Sequence, residues 1–115
     1  MNTLEQISCQ LIAAAGSAKS DYFEAIEAAK NGNFDEAEKH IQHGAEVYLQ
    51  GHAAHAELLQ LSAVDQLEVS LLLVHAEDQM MNCETMRTLA DEIIAIYRNN
   101  RSLKEELRKL QNVIG

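Results

Sequence analysis

The chain has 115 residues, no proline and only five glycines, and it is rich in the helix-forming residues alanine, leucine, glutamate and glutamine. Its formal net charge of -9 argues against nucleic acid or anionic lipid as the main partner, because phosphate groups select basic surfaces. Size and composition together predict one all-α domain whose partners are proteins.

The cellular location follows from the absence of targeting signals in the sequence. No apolar run approaches the roughly 18 to 20 residues that a membrane span needs, and MNTLEQIS lacks the basic flank and apolar stretch of a signal peptide. We therefore expect a cytoplasmic protein without direct membrane insertion. Cys9 and Cys83, distant in sequence and without CxxC spacing, are expected to stay reduced and to act as small core residues.

Capping chemistry predicts three helices. A small polar residue followed three positions later by an acid or an amide precedes each apolar segment, as in Thr3 with Gln6, Asn33 with Glu36, and Asp65 with Glu68. The predicted helices span about 4–30, 34–60 and 66–113. Gly32 in KNGN suits a left-handed helix end, and the short SAVD connector makes neighbouring helices antiparallel.

The first two helices each show an apolar face at helical spacing. Alanines on the first face predict a close approach of its neighbours. The predicted face of the second helix consists of Phe34, Ala37, Ile41, Gly44 or Ala45, Tyr48, His52 and Leu59.

The third helix is predicted to be longer than the other two. At a rise of 1.5 Å per residue its length is roughly 70 Å, and theirs is about 40 Å. Its second half carries a heptad series with one polar member: Met86, Leu89, Ile93, Ile96, Asn100, Leu103, Leu107, Leu110 and Ile114. Such a tail finds copies of itself, folds back at RNNRS, or breaks near Asn99 and Asn100. We expect self-association through this helix.

The stretch EVSLLLVHAEDQMMN contains two polar residues in an apolar helix, and a helical wheel separates them. Asp78 falls in the middle of an arc formed by Leu71, Val74, Met81, Thr85, Leu89 and Ile96. An ionised carboxylate there must be protonated, paired or bound to a cation, and no Lys or Arg occurs from 40 to 86. His75 lies at the edge of the arc, where it is either a satisfied interface histidine or a group that exchanges a proton or a phosphoryl group.

The other histidines form two i, i+3 pairs on the second helix, His40 with His43 and His52 with His55. Each pair shares one helix face and could bind a transition metal. Because no third ligand of matching spacing is visible, solvated or core roles are favoured for all four residues.

EVSLLLVHAEDQMM resembles the phosphorylation segment of enzyme IIA components from the lactose, cellobiose and chitobiose branch of the bacterial sugar phosphotransferase system, an apolar run followed by H-[AG]-Q-D-H-L-M. The stretch AAAGSAKSDYFEAIEAAKNGNFDEAE is similar to the first hairpin of that family, and GHAAHAELL to its second-helix segment A-H-x-x-Q. The resemblance covers nearly the whole chain, with the motifs in order.

The resemblance implies a homotrimer of three-helix subunits, a nine-helix bundle. It implies that His75 accepts phosphate from the histidine-containing phosphocarrier protein and passes it to a cysteine of the IIB component during uptake of a β-linked disaccharide. It further implies that three copies of Asp78 hold a divalent cation on the trimer axis, and we expect this cation to be Mg²⁺.

Three positions depart from the family pattern. Glu77 and His55 stand where glutamine is usual, and Gln79 stands where histidine is usual. On the wheel Glu77 lies about 200 degrees from His75, so within one subunit it cannot face a phosphoryl group on His75. Across a trimer interface Glu77 could face that group, where its carboxylate would repel phosphate. Gln79, one turn beyond His75, can still donate a hydrogen bond. Both residues are therefore candidate neighbours of the phosphoryl group, Glu77 only from another subunit.

Two other functional classes remain open at this point. A histidine phosphotransfer domain of a two-component relay is also a helical bundle with one reactive histidine, but such domains usually carry a lysine near it, where this chain has Glu77, Asp78 and Gln79. A helical adaptor would use the long third helix only for oligomerisation.

Overall fold

The computed structural model describes residues 3–64 and 70–114, and the side chains of 62–64 are outside the description. Three helices account for nearly all of these residues: α1, Thr3–Lys30; α2, Phe34–Val64; and α3, Leu71–Ile114. The predicted all-α, three-helix architecture is confirmed. No helix in the described ranges is both long and apolar enough to cross a membrane.

The turn between α1 and α2 is a Schellman motif. Gly32 has φ of 83°, the Gly32 N–H donates to the Ala29 carbonyl at 3.0 Å, and the Asn33 N–H donates to the Ala28 carbonyl at 2.8 Å. This geometry needs a residue that tolerates the left-handed region, which glycine does without strain. The predicted left-handed helix end at Gly32 is therefore present.

The start of α3 differs from the prediction. Ser70 is not helical; its hydroxyl oxygen accepts a hydrogen bond from the Leu73 N–H at 3.1 Å, and its carbonyl accepts one from Val74 at 3.1 Å. Ser70 is thus the N-cap, and a helix unbroken from about residue 66 is wrong at this point. The cap predicted at Asp65 with Glu68 lies outside the described residues. α2 ends at Val64, beyond the predicted end near residue 60.

α1 is the central helix, since it packs along both α2 and α3 while these two touch each other little. Its buried face is rich in alanine, and Tyr22 and Leu11 are its largest fully buried side chains. Small side chains let helix axes approach closely, as the alanine-rich sequence predicts.

Two predicted core positions are exposed. On α2 the buried face follows Ile41, Gly44, Gly51, Ala54 and Leu58, which leaves His52 and Leu59 on the surface. The predicted series took two successive steps of four residues, from Gly44 to His52, which rotates about 80 degrees away from the starting face. The buried face instead continues in steps of three and four through Gly51, Ala54 and Leu58.

The two cysteines also differ from each other. Cys83 is buried between the helices, as predicted, but Cys9 is exposed and the core role predicted for it is wrong. Burial raises the pKa of the Cys83 thiol, so this group stays protonated and acts as a small apolar side chain.

Gly44 permits the close contact of α1 and α2. A Cβ atom at this position would lie 2.6 Å from Cε1 of the buried Tyr22 ring and 3.1 Å from Cβ of Asp21. We expect Gly44→Ala to destabilise the fold by about 1 to 3 kcal/mol, despite the higher helix propensity of alanine, because the packed ring must move. Chemical denaturation measures the change.

Gly16 provides the matched control, because a Cβ there meets no heavy atom within 4 Å. Gly16→Ala should stabilise the chain by up to about 1 kcal/mol through helix propensity alone. Equal effects of the two substitutions would contradict the close packing at Gly44.

α3 extends well past its partners, and the molecule measures 73 × 19 × 17 Å. The helix is continuous through Asn99 and Asn100, so neither the break nor the fold-back at RNNRS occurs. Every described residue from 98 to 114 is exposed. The heptad stripe of the tail therefore has no partner within the described chain.

Candidate functional site

His75 lies in the second turn of α3 with its side chain exposed, in a shallow depression that it shares with Leu71 and Leu72. The neighbouring positions Leu73 and Ala76 are buried and anchor this turn against the rest of the bundle. The ring is thus open to a macromolecular partner while its backbone is held rigidly.

The observed start of α3 changes the electrostatics around His75. Because the helix begins at Leu71, His75 stands about one turn from the N-terminus, where the N–H groups of the first turn carry partial positive charge. Side chains of a helix tilt toward its N-terminus, so a group attached to the imidazole extends toward those N–H groups. A phosphoryl group would be stabilised there without a neighbouring lysine.

Asp78 lies on a continuous exposed apolar stripe of α3. Its side chain is exposed, and the large residues around it are also largely uncovered, with Leu71 86%, Val74 51%, Met81 62%, Leu89 50% and Ile96 57% exposed. The predicted arc is therefore directed away from α1 and α2. The apolar stripe is therefore largely uncovered within the described part of the chain.

Gln79 contacts a lysine that the sequence alone did not place near the site. The Lys19 ammonium of α1 donates to the Gln79 side-chain oxygen. Gln79 follows His75 by one turn on the same side of α3. The fold therefore places the Lys19 ammonium at this end of the helix. The sequence signal for this lysine is the stretch AAAGSAKS of α1, similar to the first hairpin of the family, and it gives no indication of which α3 residue the lysine meets.

Glu77 is directed toward α2, away from His75, as the wheel predicts. Its carboxylate lies 2.8 to 2.9 Å from Nε2 of His55. The two residues that replace the usual glutamines of the family therefore contact each other. This pairing keeps the Glu77 carboxylate on the α2 side of α3, away from the His75 ring.

A second polar cluster joins α1 to α2. The carboxylate of Asp21 lies 3.2 Å from Nδ1 of His40 and 2.5 Å from Nδ1 of His43. Glu24 of α1 also reaches His40, at 3.4 Å. The sequence showed the histidine pair but not these acidic partners, because they come from another helix. The second histidine pair noted in the sequence, His52 with His55, makes a loose contact between the two rings, whose centroids lie 6.4 Å apart.

The hydrogen bond to the Asp21 carboxylate, together with its negative charge, raises the pKa of His43 above the ordinary histidine value. This interaction therefore stabilises the fold below the pKa of unfolded histidine, and the stabilisation is lost as the pH rises through the pKa of folded His43. We expect Asp21→Asn to lower the pKa of His43 in an NMR titration of the imidazole signals. The His52 signal serves as the control, and an unchanged His43 pKa in the variant would contradict the pairing.

Comparison with known proteins identifies the class of this bundle. The sequence profile of the family described as "PTS system, Lactose/Cellobiose specific IIA subunit" matches residues 6–98. The chain belongs to this family of IIA subunits of the sugar phosphotransferase system (PTS).

Individual relatives give the same result. The chain is 42% identical over 95 residues to the lichenan-specific phosphotransferase enzyme IIA component of Bacillus subtilis, covering 82% of this chain and 86% of the relative. It is 35% identical over 85 residues to the cellobiose-specific EIIA component of Lactococcus lactis, covering 73% of each chain.

Solved structures share the fold. The cellobiose-specific enzyme IIA of Bacillus anthracis superposes with a TM-score of 0.86 at 38% identity, covering 89% of this chain and 94% of that one. The IIA(Chitobiose) complex with HPr from the Escherichia coli phosphotransferase system superposes with a TM-score of 0.71 at 28% identity, covering 88% and 99%. These likenesses favour the PTS over a two-component relay or an adaptor. The tail beyond residue 98 lies outside the family profile.

Proposed function

We propose that this IIA subunit carries a phosphoryl group on His75, receiving it from HPr, the histidine-containing phosphocarrier protein, and passing it to a IIB component in the cytoplasm. The supporting observation is the exposed His75 ring, held about one turn from the N-terminus of α3. The proposed sugar is a β-linked disaccharide, since one relative is named for cellobiose.

The transfer proceeds by two substitutions at phosphorus. A neutral imidazole nitrogen of His75 attacks the phosphorus of phosphorylated HPr, and the P–N bond to HPr breaks. The proton that His75 releases balances the proton that the departing imidazole of HPr takes up. In the second step the cysteine thiolate of IIB attacks the same phosphorus, and the P–N bond to His75 breaks as the His75 imidazole takes up a proton from water. The subunit therefore acts as a phosphotransferase component with a transient phosphohistidine and performs no sugar chemistry.

The surroundings of His75 favour phosphoryl transfer. Exposure allows HPr and IIB to bind in turn, and the partial positive charge of the helix start offsets phosphate charge in the intermediate. Gln79 is held by Lys19 one turn away, and its amide group is the candidate donor toward the phosphoryl oxygens. Glu77, paired with His55, is directed elsewhere.

The proposed assembly is a homotrimer in which three α3 helices meet along the exposed apolar stripe, making a nine-helix bundle. Packing this stripe against two copies removes large apolar side chains from water, at about 25 cal/mol per Å². Asp78 then lies at the axis in three copies, where like charges require a cation.

The Asp78 carboxylates fit a divalent cation, with Mg²⁺ as the proposed ion. Three carboxylate oxygens supply half of an octahedral set, and Mg²⁺ commonly retains water at its remaining positions. The cation neutralises charge at the axis and takes no part in phosphoryl transfer. Asp78 is exposed in the single chain and so is available for this role.

Replacing Asp78 separates assembly from cation binding. We expect Asp78→Leu to keep or strengthen the trimer, because it exchanges three charges for apolar contacts, and to lose the axial metal. Sedimentation equilibrium and elemental analysis of the purified protein measure the two quantities. A monomeric wild-type protein without bound cation would contradict both the assembly and the axial site.

Phosphoryl transfer itself is tested by incubating the protein with phosphorylated HPr. One phosphate per chain should appear, disappear in acid, and move to a cysteine of IIB when that component is added. Unphosphorylated HPr is the control. Absence of transfer from a donor that phosphorylates a known IIA component would contradict the proposal.

A further inference from the structure

The polar cluster between α1 and α2 has the composition of a metal site. Asp21 and Glu24 of α1 face His40 of α2, and one ligand atom from each of the three lies within 4.8 Å of the other two. Carboxylate oxygen and imidazole nitrogen are the donors that Zn²⁺ and related divalent ions accept in proteins.

Two of the three distances between the ligand atoms match the edges of a tetrahedral site. Ligand atoms about 2.0 to 2.1 Å from a tetrahedral zinc ion lie about 3.3 to 3.4 Å from each other. Nδ1 of His40 lies 3.2 Å from Oδ1 of Asp21 and 3.4 Å from Oε2 of Glu24. The ligand atoms of Asp21 and Glu24 lie within 4.8 Å of each other, so an ion can sit among the three atoms once the side chains adjust.

Outer contacts orient two of these ligands. Nε2 of His40 lies 3.6 Å from Oε1 of Glu36. This orientation of the ring leaves Nδ1 of His40 for the ion. His43 binds Oδ2 of Asp21, which leaves Oδ1 for the ion. A ligating histidine typically donates its other N–H to a carboxylate, and a ligating carboxylate is typically hydrogen-bonded itself.

The charge at the cluster also favours a cation. The Asp21 side chain is only 13% exposed, and in the described ranges its bonded partners are the two imidazoles. A carboxylate largely removed from water is stabilised by nearby positive charge, which a bound cation supplies at any pH, whereas an imidazole supplies it only when protonated.

The cluster is separate from the phosphoryl and axial positions. His40 precedes His55 by fifteen residues on α2, about 22 Å along the helix, and His55 contacts Glu77 beside the start of α3. A ligand at this cluster therefore touches neither His75 nor Asp78.

We propose that Asp21, Glu24 and His40 bind a divalent transition-metal ion of the zinc class, with water at the fourth position. His43 and Glu36 orient the ligands from outside. The ion links α1 to α2 near the hairpin end of the bundle and leaves the phosphoryl site open.

Co²⁺ is the probe, added to full-length protein carrying Asp78→Leu so that the axial position contributes no binding. One ion per chain should bind, with visible absorption typical of tetrahedral Co²⁺ and with affinity lowered at least about tenfold by His40→Gln or Glu24→Gln. Glu24 is exposed, so its replacement leaves folding intact. Zn²⁺ should displace the probe.

His52→Gln is the matched control, since it removes another α2 imidazole outside the cluster. It should leave Co²⁺ affinity unchanged. Absence of stoichiometric binding, binding unaffected by His40→Gln and Glu24→Gln, or binding abolished by His52→Gln would each overturn the proposal.

Discussion

Replacing His75 by glutamine should abolish phosphoryl acceptance from HPr completely. His75 is the only histidine in the sequence of α3, and a glutamine amide is not a nucleophile toward phosphorus. Because His75 is exposed, the free energy of unfolding should change by no more than about 0.5 kcal/mol. Radioactive phosphate transferred from phosphorylated HPr, together with chemical denaturation of the variant, measures both effects.

His52→Gln again provides the control, because His52 is an exposed imidazole on α2. This variant should accept phosphate as the wild type does. Residual acid-labile phosphate on a folded His75→Gln protein would show that another residue carries the phosphoryl group.

Placing a lysine in the apolar stripe should convert the proposed trimer to monomers. Leu89→Lys brings three ammonium groups to the axis, and burying an unpaired charge costs several kcal/mol per group. Leu89 is 50% exposed in the single chain and faces away from α1 and α2, so the bundle itself should remain folded. Sedimentation equilibrium measures the mass, and circular dichroism measures the helix content.

Leu49→Lys is the matched substitution on α2, where the leucine is 63% exposed outside the stripe. It adds the same charge and removes a similar side chain, and it should leave the mass unchanged. A Leu89→Lys protein that keeps the wild-type mass would contradict association through α3.

Local sequence chemistry predicted the helices better than their ends. The helical spacing of apolar residues and the Gly32 turn were sufficient for α1 and for the start of α2. At α3 two capping signals competed. Asp65 with Glu68 satisfies the capping-box pattern, whereas Ser70 caps with its hydroxyl alone and has Leu73 at the third position. The pattern therefore favoured the earlier signal.

The separation of His75 from Asp78 could be predicted because both belong to one helix. A wheel needs only the helical period, and the structure places both side chains on the exposed side of α3, with Asp78 in the apolar stripe. Their roles in phosphate and cation binding remain predictions.

Contacts between helices could not be predicted in the same way. Lys19 with Gln79, His55 with Glu77, and Asp21 with His40 each depend on the axial offset and rotation of two helices. Side-chain packing between the two helices sets this offset and rotation, and neither can be obtained from the helical period of a single segment. The positions that looked unusual in sequence, Glu77 and His55, are explained only by their mutual contact.

The measurement that tests the central claim most directly is the location of the phosphate after transfer from HPr. Trypsin cannot resolve it, because no Lys or Arg lies between Lys39 and Arg87 and all five histidines share that fragment. Cleavage after glutamate at neutral to basic pH separates 39–46, 47–57 and 69–77, which carry His40 with His43, His52 with His55, and His75 alone. We predict phosphate on fragment 69–77 by mass spectrometry; phosphate on either of the other two fragments would contradict the assignment of His75.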